Sequence, residues 1–592
     1  MDMKWDLDRI YTSFDSEKFK SDINSLNEYV TIINEWASKN FISINDATSK
    51  LEKFLKLTNE YKSLYLRLYC YAYLLISVDA ENKEAMDMLD EIAEKNDELT
   101  KSSIIFIKWL NNINNLDDII CSSPYISEHK SYLYEIYSKS KNMLSENEEN
   151  LIVKMQSTGS RAWQKLYMAK MSSTKMNIEI NGEIKEISFA ELKNMAYEKD
   201  LALRKFASEE EKKACKEIAQ TISFCINEIS GEAINICDIK GYESVINKVL
   251  IESKMDNKIL NVMTEVIKDK LPMFHKYYAE KGKLLGHKHT VPFYDIYAPI
   301  GNENGKISYE DSKNLIISSF KTFSDELSNF AKRVFEENWV DAEPTATKGN
   351  YAISIDIFPI KESRIMTNFS GNYVDVTVLA HEIGHAYHSY CLREEELLNT
   401  DYPTPIAETA SIFCETIINK ELIKKVKLED KIIMLERSIS DTAYYIVEMY
   451  GRFLFECELF DKRKIGRLSV DELNEMMKKH MKLAYGSIID ENTINSYSWV
   501  TNIGFYMAGN EFLNFPYIFG VLFSKGLYAK YLNNKKDFVV RYNKFLRATN
   551  KNKIFDMAKV MDIDIYSQDF WEGAFNVIKK DIDEFISGVN KL

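Results

Sequence analysis

Apolar residues recur at helical spacing along most of this chain. With only 9 prolines and 20 glycines in 592 residues, few positions interrupt the pattern. The longest amphipathic stretches predict helices over residues 16–36, 47–77, 83–112, 411–423, 428–458 and 470–483. We therefore predict a mainly α-helical fold.

Two segments alternate between apolar and polar residues instead. Residues 176–188 alternate on both sides of Asn181-Gly182, which predicts a β-hairpin. Residues 350–369 alternate in the same way as far as Pro359 and continue as an extended segment beyond it. The second segment predicts a small β-sheet.

A row of tyrosines lies within the helix predicted over 47–77. Tyr61, Tyr65 and Tyr69 recur every four residues, a spacing that places them on one face of a helix. We interpret this row as a packing stripe rather than a cofactor site.

The overall charge and the cysteine pattern exclude several classes of protein. A formal net charge of −14 leaves no general basic surface, so we expect neither nucleic acid nor a membrane as partner. The first residues have no apolar secretory core, and no stretch approaches the ~20 apolar residues of a membrane-spanning helix. The eight cysteines are scattered without paired metal-binding spacing, which is typical of reduced thiols. We expect a cytoplasmic protein.

One run carries an explicit chemical mechanism, His381-Glu382-Ile383-Gly384-His385. Residues four apart on a helix lie one turn above each other, so both imidazoles can bind one metal ion. Glu382 would then lie beside the metal as a general base, the arrangement of a zinc-dependent hydrolase. The alternative is a helix whose two histidines only form hydrogen bonds within the core.

Three neighbouring residues extend this prediction. Asp375 is the predicted N-cap, because the apolar pattern of the helix begins directly after it. Gly384 costs about 1 kcal/mol relative to alanine within a helix, so it predicts that another element packs closely against this turn. His388 lies one turn beyond His385 and could contact the substrate or an outer carboxylate.

A catalytic zinc ion usually needs a third protein ligand. Thr404-Pro405 predicts the start of a further helix. Glu408 and Glu415 then lie two turns apart on one face. We predict Glu408 as the third ligand of one zinc ion per chain, and Glu415 as an acceptor that orients a ligating imidazole. The alternative is that both glutamates lie on a solvated face.

The sheet predicted over 350–369 directly precedes the helix that carries the motif. Its edge is expected to lie near the metal. Such an edge can hold an extended peptide by main-chain hydrogen bonds, which accommodates substrates of varied sequence.

Several further segments resemble peptidase family M3, the zinc oligopeptidases, and most closely its oligoendopeptidase F branch. They are residues 5–11 (WDLDRIY), 293–300 (FYDIYAPI), 339–344 (WVDAEP) and 364–371 (RIMTNFSG). The resemblance extends over essentially the full chain. It implies a thimet oligopeptidase-like metalloendopeptidase that cleaves internal bonds of short peptides and leaves folded proteins intact.

The resemblance also implies an architecture and a set of site residues. It implies a two-lobed helical clamp around a deep substrate channel, with a small β-sheet next to the motif helix and zinc on the channel floor. By the family pattern His381, His385 and Glu408 bind zinc, and Glu382 activates the water. The implied domains are an N-terminal helical lobe, an oligopeptidase N-terminal subdomain that includes the hairpin, and a catalytic domain, over residues 1–115, 116–200 and 201–592.

The chain departs from the family pattern in one region. The family has a histidine and several tyrosines on a loop that closes over the substrate carbonyl. Here Gly504, Leu513 and Val521 replace the histidine and two tyrosines, whereas Tyr506 and Tyr517 keep hydroxyls that could contact the substrate or the oxyanion. Loss of one such donor can cost roughly 3 kcal/mol of transition-state stabilisation.

Two functions are therefore open. Because Glu382 and the three ligands are present, we favour a zinc-dependent endopeptidase. The alternative is a zinc-binding protein that binds peptides with weak or no catalysis.

Overall fold

The computed structural model describes residues 3–180, 183–301 and 305–591 of the chain. Within these ranges the backbone is mainly α-helical, which confirms the predicted fold class. The helices are numbered in chain order as α1 (Glu17–Asn40), α2 (Ala47–Val78), α3 (Lys83–Asp97), α4 (Thr100–Asn111), α5 (Leu116–Ser122), α6 (Pro124–Glu128), α7 (Lys130–Ser140), α8 (Glu146–Thr158), α9 (Ser160–Ser173), α10 (Phe189–Asn194), α11 (Leu201–Lys240), α12 (Val245–Glu252), α13 (Asn257–Leu284), α14 (Tyr309–Lys321), α15 (Asp325–Glu336), α16 (Tyr373–Leu392), α17 (Thr404–Ala407), α18 (Thr409–Leu422), α19 (Leu428–Ala443), α20 (Met449–Arg463), α21 (Val470–Tyr485), α22 (Ser498–Thr501), α23 (Asn514–Asn533), α24 (Lys535–Ala548), α25 (Ile554–Val560) and α26 (Gln568–Val589).

Short strands form two small sheets. They are β1 (Lys175–Ile180), β2 (Glu183–Ser188), β3 (Val340–Asp341), β4 (Ile353–Ile357) and β5 (Glu362–Met366). β1 and β2 pair antiparallel with Ile180 opposite Glu183, as the predicted hairpin requires. The predicted turn residues Asn181 and Gly182 lie outside the described residues. In the other sheet β5 is central, parallel to β3 and antiparallel to β4.

One helix prediction is wrong. The single helix predicted over 83–112 is divided, because α3 ends at Asp97 and α4 begins at Thr100. The last residues of α3 are polar and include weak helix formers, so little opposes a break there. The break directs Phe106 of α4 onto Phe54 of α2, with ring centroids 4.5 Å apart. Tertiary packing of the aromatic side chains therefore outweighs the continuous helical pattern.

The helix predicted over 428–458 is interrupted but keeps its direction. α19 and α20 are joined by a π-helical turn at Tyr444–Glu448. The carboxylate of Glu448 accepts hydrogen bonds from the hydroxyls of Tyr297 and Tyr485, the second at 3.0 Å. The turn thus places a buried carboxylate where two tyrosines can satisfy it.

The chain divides into two compact units, each assembled from three segments. The first comprises Met1–Met143, Gly305–Leu422 and Tyr531–Ile563, and the second comprises Leu144–Asn304, Ile423–Lys530 and Asp564–Leu592. The predicted domain boundaries and the predicted two-lobed clamp stay predictions. Within the described ranges, no helix has both the length and the apolar character required to span a bilayer.

In the first unit, the sheet lies between the N-terminal helices and the motif helix. Ile357 of β4 is fully buried in the apolar core of α1, α2 and α4, and Ile355 packs against the same core. β4 and β5 contact α16 as well. This confirms the small sheet predicted beside the helix that carries the motif.

In the second unit, a buried ion pair fixes the segment 293–300 on the long helix α11. Arg204 donates to Asp295 at 2.9 Å, and both side chains are almost completely buried. His287 contacts the other oxygen of Asp295 at 2.6 Å, and Arg204 also donates to two backbone carbonyls. A buried ion pair is tolerated when its polar atoms are satisfied in this way.

Candidate metal centre

The motif lies in the middle of α16, whose start is defined by reciprocal capping. The side chain of Asn372 accepts the backbone N–H of Asp375 at 2.9 Å, and Asp375 accepts the N–H groups of residues 370–372. The prediction that Asp375 is the N-cap is therefore wrong, because Asn372 holds that position. Asp375 acts from within the first turn, where its charge is favourable to the helix dipole.

Gly384 allows α16 and α18 to approach backbone to backbone. A Cβ atom at this position would lie 2.6 Å from Cα of Ser411 and 2.7 Å from the carbonyl oxygen of Ala410. Both atoms belong to the main chain of α18, so neither can move alone. The close packing predicted from this glycine is confirmed, and it brings the side chains of α18 to the motif histidines.

The side chains of His381, His385 and Glu408 converge on one point. Nε2 of His381 lies 3.2 Å from Oε2 of Glu408, and Nε2 of His385 lies 3.4 Å from the same oxygen. Among the described residues, this is the one group of three or more His, Cys, Asp or Glu that could hold a metal ion. Each side chain is 20–25% exposed, so the cluster is open to solvent on one side.

Glu408 reaches this point from the junction of α17 and α18. α17 begins at Thr404 with Pro405 in its first turn, as the sequence predicts. Glu408 departs from α-helical geometry, with φ −83° and ψ 1°, before α18 begins. The hydroxyl of Ser411 donates to Oε2 of Glu408 at 2.9 Å, which fixes the orientation of the carboxylate.

Glu415 lies on the other side of the His381 ring. Its Oε2 is 3.4 Å from Nδ1 of His381, whereas Nε2 of the same ring faces Glu408. A carboxylate at Nδ1 keeps the ring proton on that nitrogen and leaves the Nε2 lone pair available for a metal. The structure therefore brings Glu415 to the position that the spacing predicts.

Electrostatics at the cluster favour a cation. Burial by itself lowers the pKa of His381, but hydrogen bonds to Glu408 and Glu415 outweigh burial and raise the pKa to about 10. Burial also opposes ionisation of Glu408, yet the two imidazoles hold the pKa of Glu408 well below its usual range. The raised pKa of His381 means that its ring binds a proton beside the Glu408 carboxylate. A metal ion would replace that proton.

The donor set fits zinc. Two ligand atoms bound about 2.05 Å from a tetrahedral zinc ion lie about 3.3 Å apart. The nitrogen-to-oxygen distances of 3.2 and 3.4 Å match that spacing. Two imidazoles, one carboxylate and an open side are the ligand set of a catalytic rather than a structural zinc site.

Glu382 lies next to the converging atoms but is not one of them. Its side chain is nearly buried, at 7% exposure, in the wall formed by α16. Burial raises the pKa of Glu382, and the charges of His381 and His385 oppose that rise. This places a carboxyl group with a raised pKa directly beside the donor set.

β4 is an edge strand of the sheet in the same unit, and the thiol of Cys70 in α2 contacts the carbonyl oxygen of Asp356 at one end of it. Ile365 of β5 donates its N–H toward β3, so the main chain of Arg364 faces β4 and pairs with Ile355. In an antiparallel pair the hydrogen-bonding direction alternates along the strand. The main-chain groups of Ser354 and Asp356 therefore point away from β5, toward the edge.

Asp356 is a residue near the site that no motif predicts. Its carboxylate accepts a hydrogen bond from Ser363 of β5 at 3.0 Å. Burial raises the pKa of Asp356, and the charge of His385 opposes that rise. Asp356 of β4 thus lies near His385 of α16. The available signal was one carboxylate among alternating isoleucines just before the motif helix.

The structure places His388 away from the cluster. Its ring is fully buried, stacks on Tyr402 with centroids 4.2 Å apart, and has Nε2 2.8 Å from Oγ1 of Thr549. Burial lowers the pKa of His388 to about 3, so the ring is neutral. A contact between His388 and a substrate would require this packing to open.

The two tyrosines predicted to contact substrate differ in their surroundings. The hydroxyl of Tyr506 donates to the backbone carbonyl of Trp499 at 2.9 Å, and its fully buried ring stacks on Tyr167 at 3.8 Å. In this position the hydroxyl is not available to a substrate. Tyr517 is half-buried in α23, with its ring 6.5 Å from that of Tyr445.

Two of the three departures from the family pattern are neighbours. A Cβ atom on Gly504 would lie 4.0 Å from Cβ of Leu513. The N–H of Gly504 donates to the side chain of Asn502 at 3.1 Å. Val521 is buried in α23, at 3% exposure.

Comparison with known proteins matches these observations. The model of peptidase family M3 matches residues 194–577, a range that includes the whole cluster, and the model described as Oligopeptidase F matches residues 113–175. An oligoendopeptidase F homologue from Lactococcus lactis subsp. lactis (strain IL1403) is 23% identical over 100% of this chain and 98% of its own length. Oligopeptidase PepF from Bacillus subtilis (strain 168) is 22% identical over 98% of this chain and 86% of its own length.

Solved structures share the fold. Oligoendopeptidase-F from Enterococcus faecium has a TM-score of 0.72 at 16% identity, covering 96% of this chain and 100% of that one. A candidate peptidase from Chlamydophila abortus has a TM-score of 0.84 at 20% identity, covering 99% of this chain and 98% of that one. The family model spans more than half of the chain and includes the histidine and glutamate cluster. The chain therefore belongs to peptidase family M3, as the resemblance predicts, and is a metallopeptidase.

Proposed function

We propose that this chain is a zinc-dependent endopeptidase that hydrolyses internal bonds of short peptides. The observation that carries the proposal is the cluster of His381, His385 and Glu408, whose three donor atoms lie within 4.8 Å of one another and whose side chains are 20–25% exposed. These three side chains would hold one zinc ion. Glu415 would orient His381 through its Nδ1.

Glu382 would move the proton in the reaction. When bound, zinc would supply a Lewis acid for the scissile carbonyl and make a water molecule more acidic. Glu382 would accept a proton from the attacking water as the carbon–oxygen bond forms. It would donate that proton to the amine nitrogen as the carbon–nitrogen bond breaks. The raised pKa of Glu382, caused by burial, supports its holding a proton between the two steps.

The edge of β4 would hold the peptide near this centre. The outward main-chain groups of Ser354 would pair with the main chain of an extended substrate, as in strand addition. The relatives named oligopeptidase and oligoendopeptidase support short peptides as the substrate class. The unpaired state of all eight cysteines supports a reducing compartment, the cytoplasm.

The test is a mass-spectrometric digest of a peptide library by the zinc-loaded protein and by Glu382→Gln. The wild type should cleave internal bonds in a chelator-sensitive way. Glu382→Gln should bind one zinc ion per chain but lose cleavage by a factor of roughly 10³ or more, because the proton acceptor is lost. Glu394→Gln is the matched control, since Glu394 is an exposed partner of Lys361 in the same unit. Full activity of Glu382→Gln would contradict the proposal.

The alternative, a peptide-binding protein with weak or no catalysis, is an outcome of the same experiment. It predicts stoichiometric zinc and tight peptide binding without turnover by the wild type across the library. A substrate screen limited to a single peptide would not separate the two, whereas a broad library does.

A further inference from the structure

The metal centre makes no use of the tyrosine row on α2. Tyr61, Tyr65, Tyr69 and Tyr73 stack in succession, with ring centroids 5.9, 5.5 and 6.2 Å apart and interplanar angles of 20°, 27° and 10°. The packing stripe predicted from the sequence is thus a continuous stack. Tyr61 is buried, whereas the other three rings are only half-buried. Three of the four rings therefore keep a surface that protein atoms do not cover.

The half-buried rings occupy the face of α2 between two neighbouring elements. On one side, the hydroxyl of Tyr61 donates to Asn96 near the end of α3 at 3.3 Å. On the other side, Sγ of Cys70 lies 3.6 Å from the carbonyl oxygen of Asp356 in β4. Successive residues turn by 100° around a helix, so the tyrosine face lies between these contacts. The row is therefore a strip beside the edge strand β4.

The strip and the edge run side by side. Tyr73 lies near Tyr351, which directly precedes β4. The N–H of Gly349 donates to the carbonyl oxygen of Ser77 at 3.3 Å. Together with the contact of Cys70, these pairs show that α2 and β4 run in opposite directions along each other.

The ring spacing suits an extended peptide. Alternate side chains of an extended chain lie about 6.6–6.8 Å apart on one face. The exposed rings repeat at 5.5 and 6.2 Å. A peptide that pairs with the edge of β4 could therefore place every second side chain against one tyrosine ring.

We infer that Tyr65, Tyr69 and Tyr73 form a specificity-determining strip that binds apolar and aromatic side chains at alternate positions of the peptide substrate. The inference rests on the proposed peptidase function. Tyrosine rings supply large, rigid contact area at little entropic cost, and aromatic contacts add affinity beyond the burial of area. Asp356 marks the end of β4 near His385, and Tyr351 is five residues away, about 16 Å in an extended chain. The strip would thus bind side chains several positions from the scissile bond.

The test is a library digest by the zinc-loaded full chain, compared with Tyr69→Ala and Tyr69→Phe. The wild type should prefer aromatic and apolar residues several positions from the cleaved bond. Tyr69→Ala should weaken that preference and raise KM for the best peptide roughly 5- to 10-fold, with kcat nearly unchanged. Tyr69→Phe keeps the ring and should keep the preference. Tyr29→Ala, at a half-buried tyrosine on α1, should change neither.

A binding measurement separates this inference from the proposed function. In Glu382→Gln, a peptide with p-benzoylphenylalanine several positions from its scissile bond should crosslink to residues 65–73. This measurement leaves the tyrosines intact, so it holds even if Tyr69→Ala fails to fold. The inference that the strip binds substrate side chains would be overturned by crosslinks confined to other residues. An unchanged library preference in folded Tyr69→Ala would overturn it as well. A wild type without turnover would overturn the peptidase proposal. The positions of the crosslinks would still show whether the tyrosine strip contacts the bound peptide.

Discussion

The metal centre and the loop of residues 502–514 use their polar groups in opposite ways. In the metal centre, three side chains turn nitrogen and oxygen atoms toward one point that is open to solvent. In the loop, polar groups are satisfied inside the second unit. Tyr506 donates to the carbonyl of Trp499, and Glu456 accepts the N–H of Phe512 at 2.7 Å. A group whose hydrogen bonds are completed inside the protein is not free to act on a substrate.

This difference between the two regions shows under which condition the spacing of residues in the sequence predicts where their side chains lie. His381 and His385 share one helix, so a separation of four residues fixes their relative direction. The loop contains two residues in the left-handed region, Gly509 at φ +88° and Phe512 at φ +56°. Such residues reverse the chain locally, so the direction of Tyr506 does not follow from its place in the sequence.

The largest expected effect comes from Gly384→Ala, which tests whether backbone approach holds the metal centre together. The added Cβ would meet main-chain atoms of Ser411 and Ala410 at 2.6 and 2.7 Å. Because α18 would have to move as a whole, we expect a loss of about 3 kcal/mol in unfolding free energy. Zinc affinity should fall with it. Thermal unfolding and zinc titration measure the two effects.

Gly573→Ala is the matched control for that substitution. A Cβ atom there would lie 3.7 Å from Cβ of Ala529, an ordinary contact within the second unit. Since alanine is the better helix former, α26 should gain up to about 1 kcal/mol. Equal behaviour of the two variants would show that the close approach of α16 and α18 is not what positions the ligands.

Glu415→Ala tests whether the metal centre depends on a residue outside the ligand set. Loss of the carboxylate at Nδ1 frees the His381 ring to rotate and to change tautomer. We expect zinc affinity to fall roughly 10- to 100-fold, measured by competition with a chelator. Glu415→Gln keeps an acceptor and should lie between the wild type and alanine.

The control for Glu415 is Asn419→Ala on the same helix. The side chain of Asn419 accepts a hydrogen bond from Thr377 at 3.2 Å, so it links α18 to α16 without touching either histidine. Its loss should leave zinc affinity within about two-fold of the wild type. A loss of affinity as large as that of Glu415→Ala would mean that both residues act only by packing the helices.

Local periodicity explains what could be predicted from the sequence. The helical class, the strands before the motif and the convergence of His381, His385 and Glu408 each depend on spacing within one element or two adjacent ones. Asn372 and Asp375 are both good cap residues, and a left-handed Gly371, at φ +87°, decides between them. This left-handed backbone conformation cannot be recognised from the pattern of hydrophobic and polar residues.

Long-range packing explains what could not be predicted. His388 follows His385 by three residues, slightly less than one helical turn, yet its ring is held by Thr549, 161 residues further along the chain. The hydroxyl of Tyr506 is likewise taken by a backbone carbonyl that no side-chain pattern reveals. Asp356 approaches the turn of His385 because β4 packs on α16, a tertiary contact between separate elements.

Glu456→Gln tests the anchor of the loop through its pH dependence. Burial raises the pKa of Glu456 to about 8, although hydrogen bonds from Phe512 and Asn514 oppose that rise. The folded protein therefore retains a proton that the unfolded chain releases near pH 4.5. The stabilisation is complete below that pH and is lost as pH rises toward 8. Between pH 5 and 8, the unfolding free energy of the wild type should fall relative to that of Glu456→Gln by up to about 1.4 kcal/mol per pH unit.

Glu472→Gln provides the comparison for that pH profile. Hydrogen bonds from Ser469 lower the pKa of the exposed Glu472, so its contribution to stability is lost only when pH falls below the usual carboxyl range. The profile between pH 5 and 8 should therefore match the wild type. If Glu456→Gln also matched the wild type, the carboxyl of Glu456 would titrate normally and would not anchor Phe512 as a buried acid.

Tyr506→Phe is the smallest change and tests the loop side of the comparison directly. Phenylalanine keeps the ring stacked on Tyr167 but leaves the carbonyl of Trp499 without its donor. We expect a loss of about 1 kcal/mol in unfolding free energy. Neither kcat nor KM for a peptide substrate should change, because the buried hydroxyl does not face a substrate. Tyr517→Phe is the companion variant, since that ring is half-buried in α23.

The opposite result would reverse the comparison between the two regions. A fall in kcat of roughly 10²–10³ for Tyr506→Phe, with unchanged stability, is the signature of a lost oxyanion donor. The hydroxyl would then have to leave the carbonyl of Trp499 and separate from Tyr167 during turnover. In that case the loop would be a part of the second unit that rearranges during turnover, and its buried hydrogen bonds would not describe the working state of Tyr506.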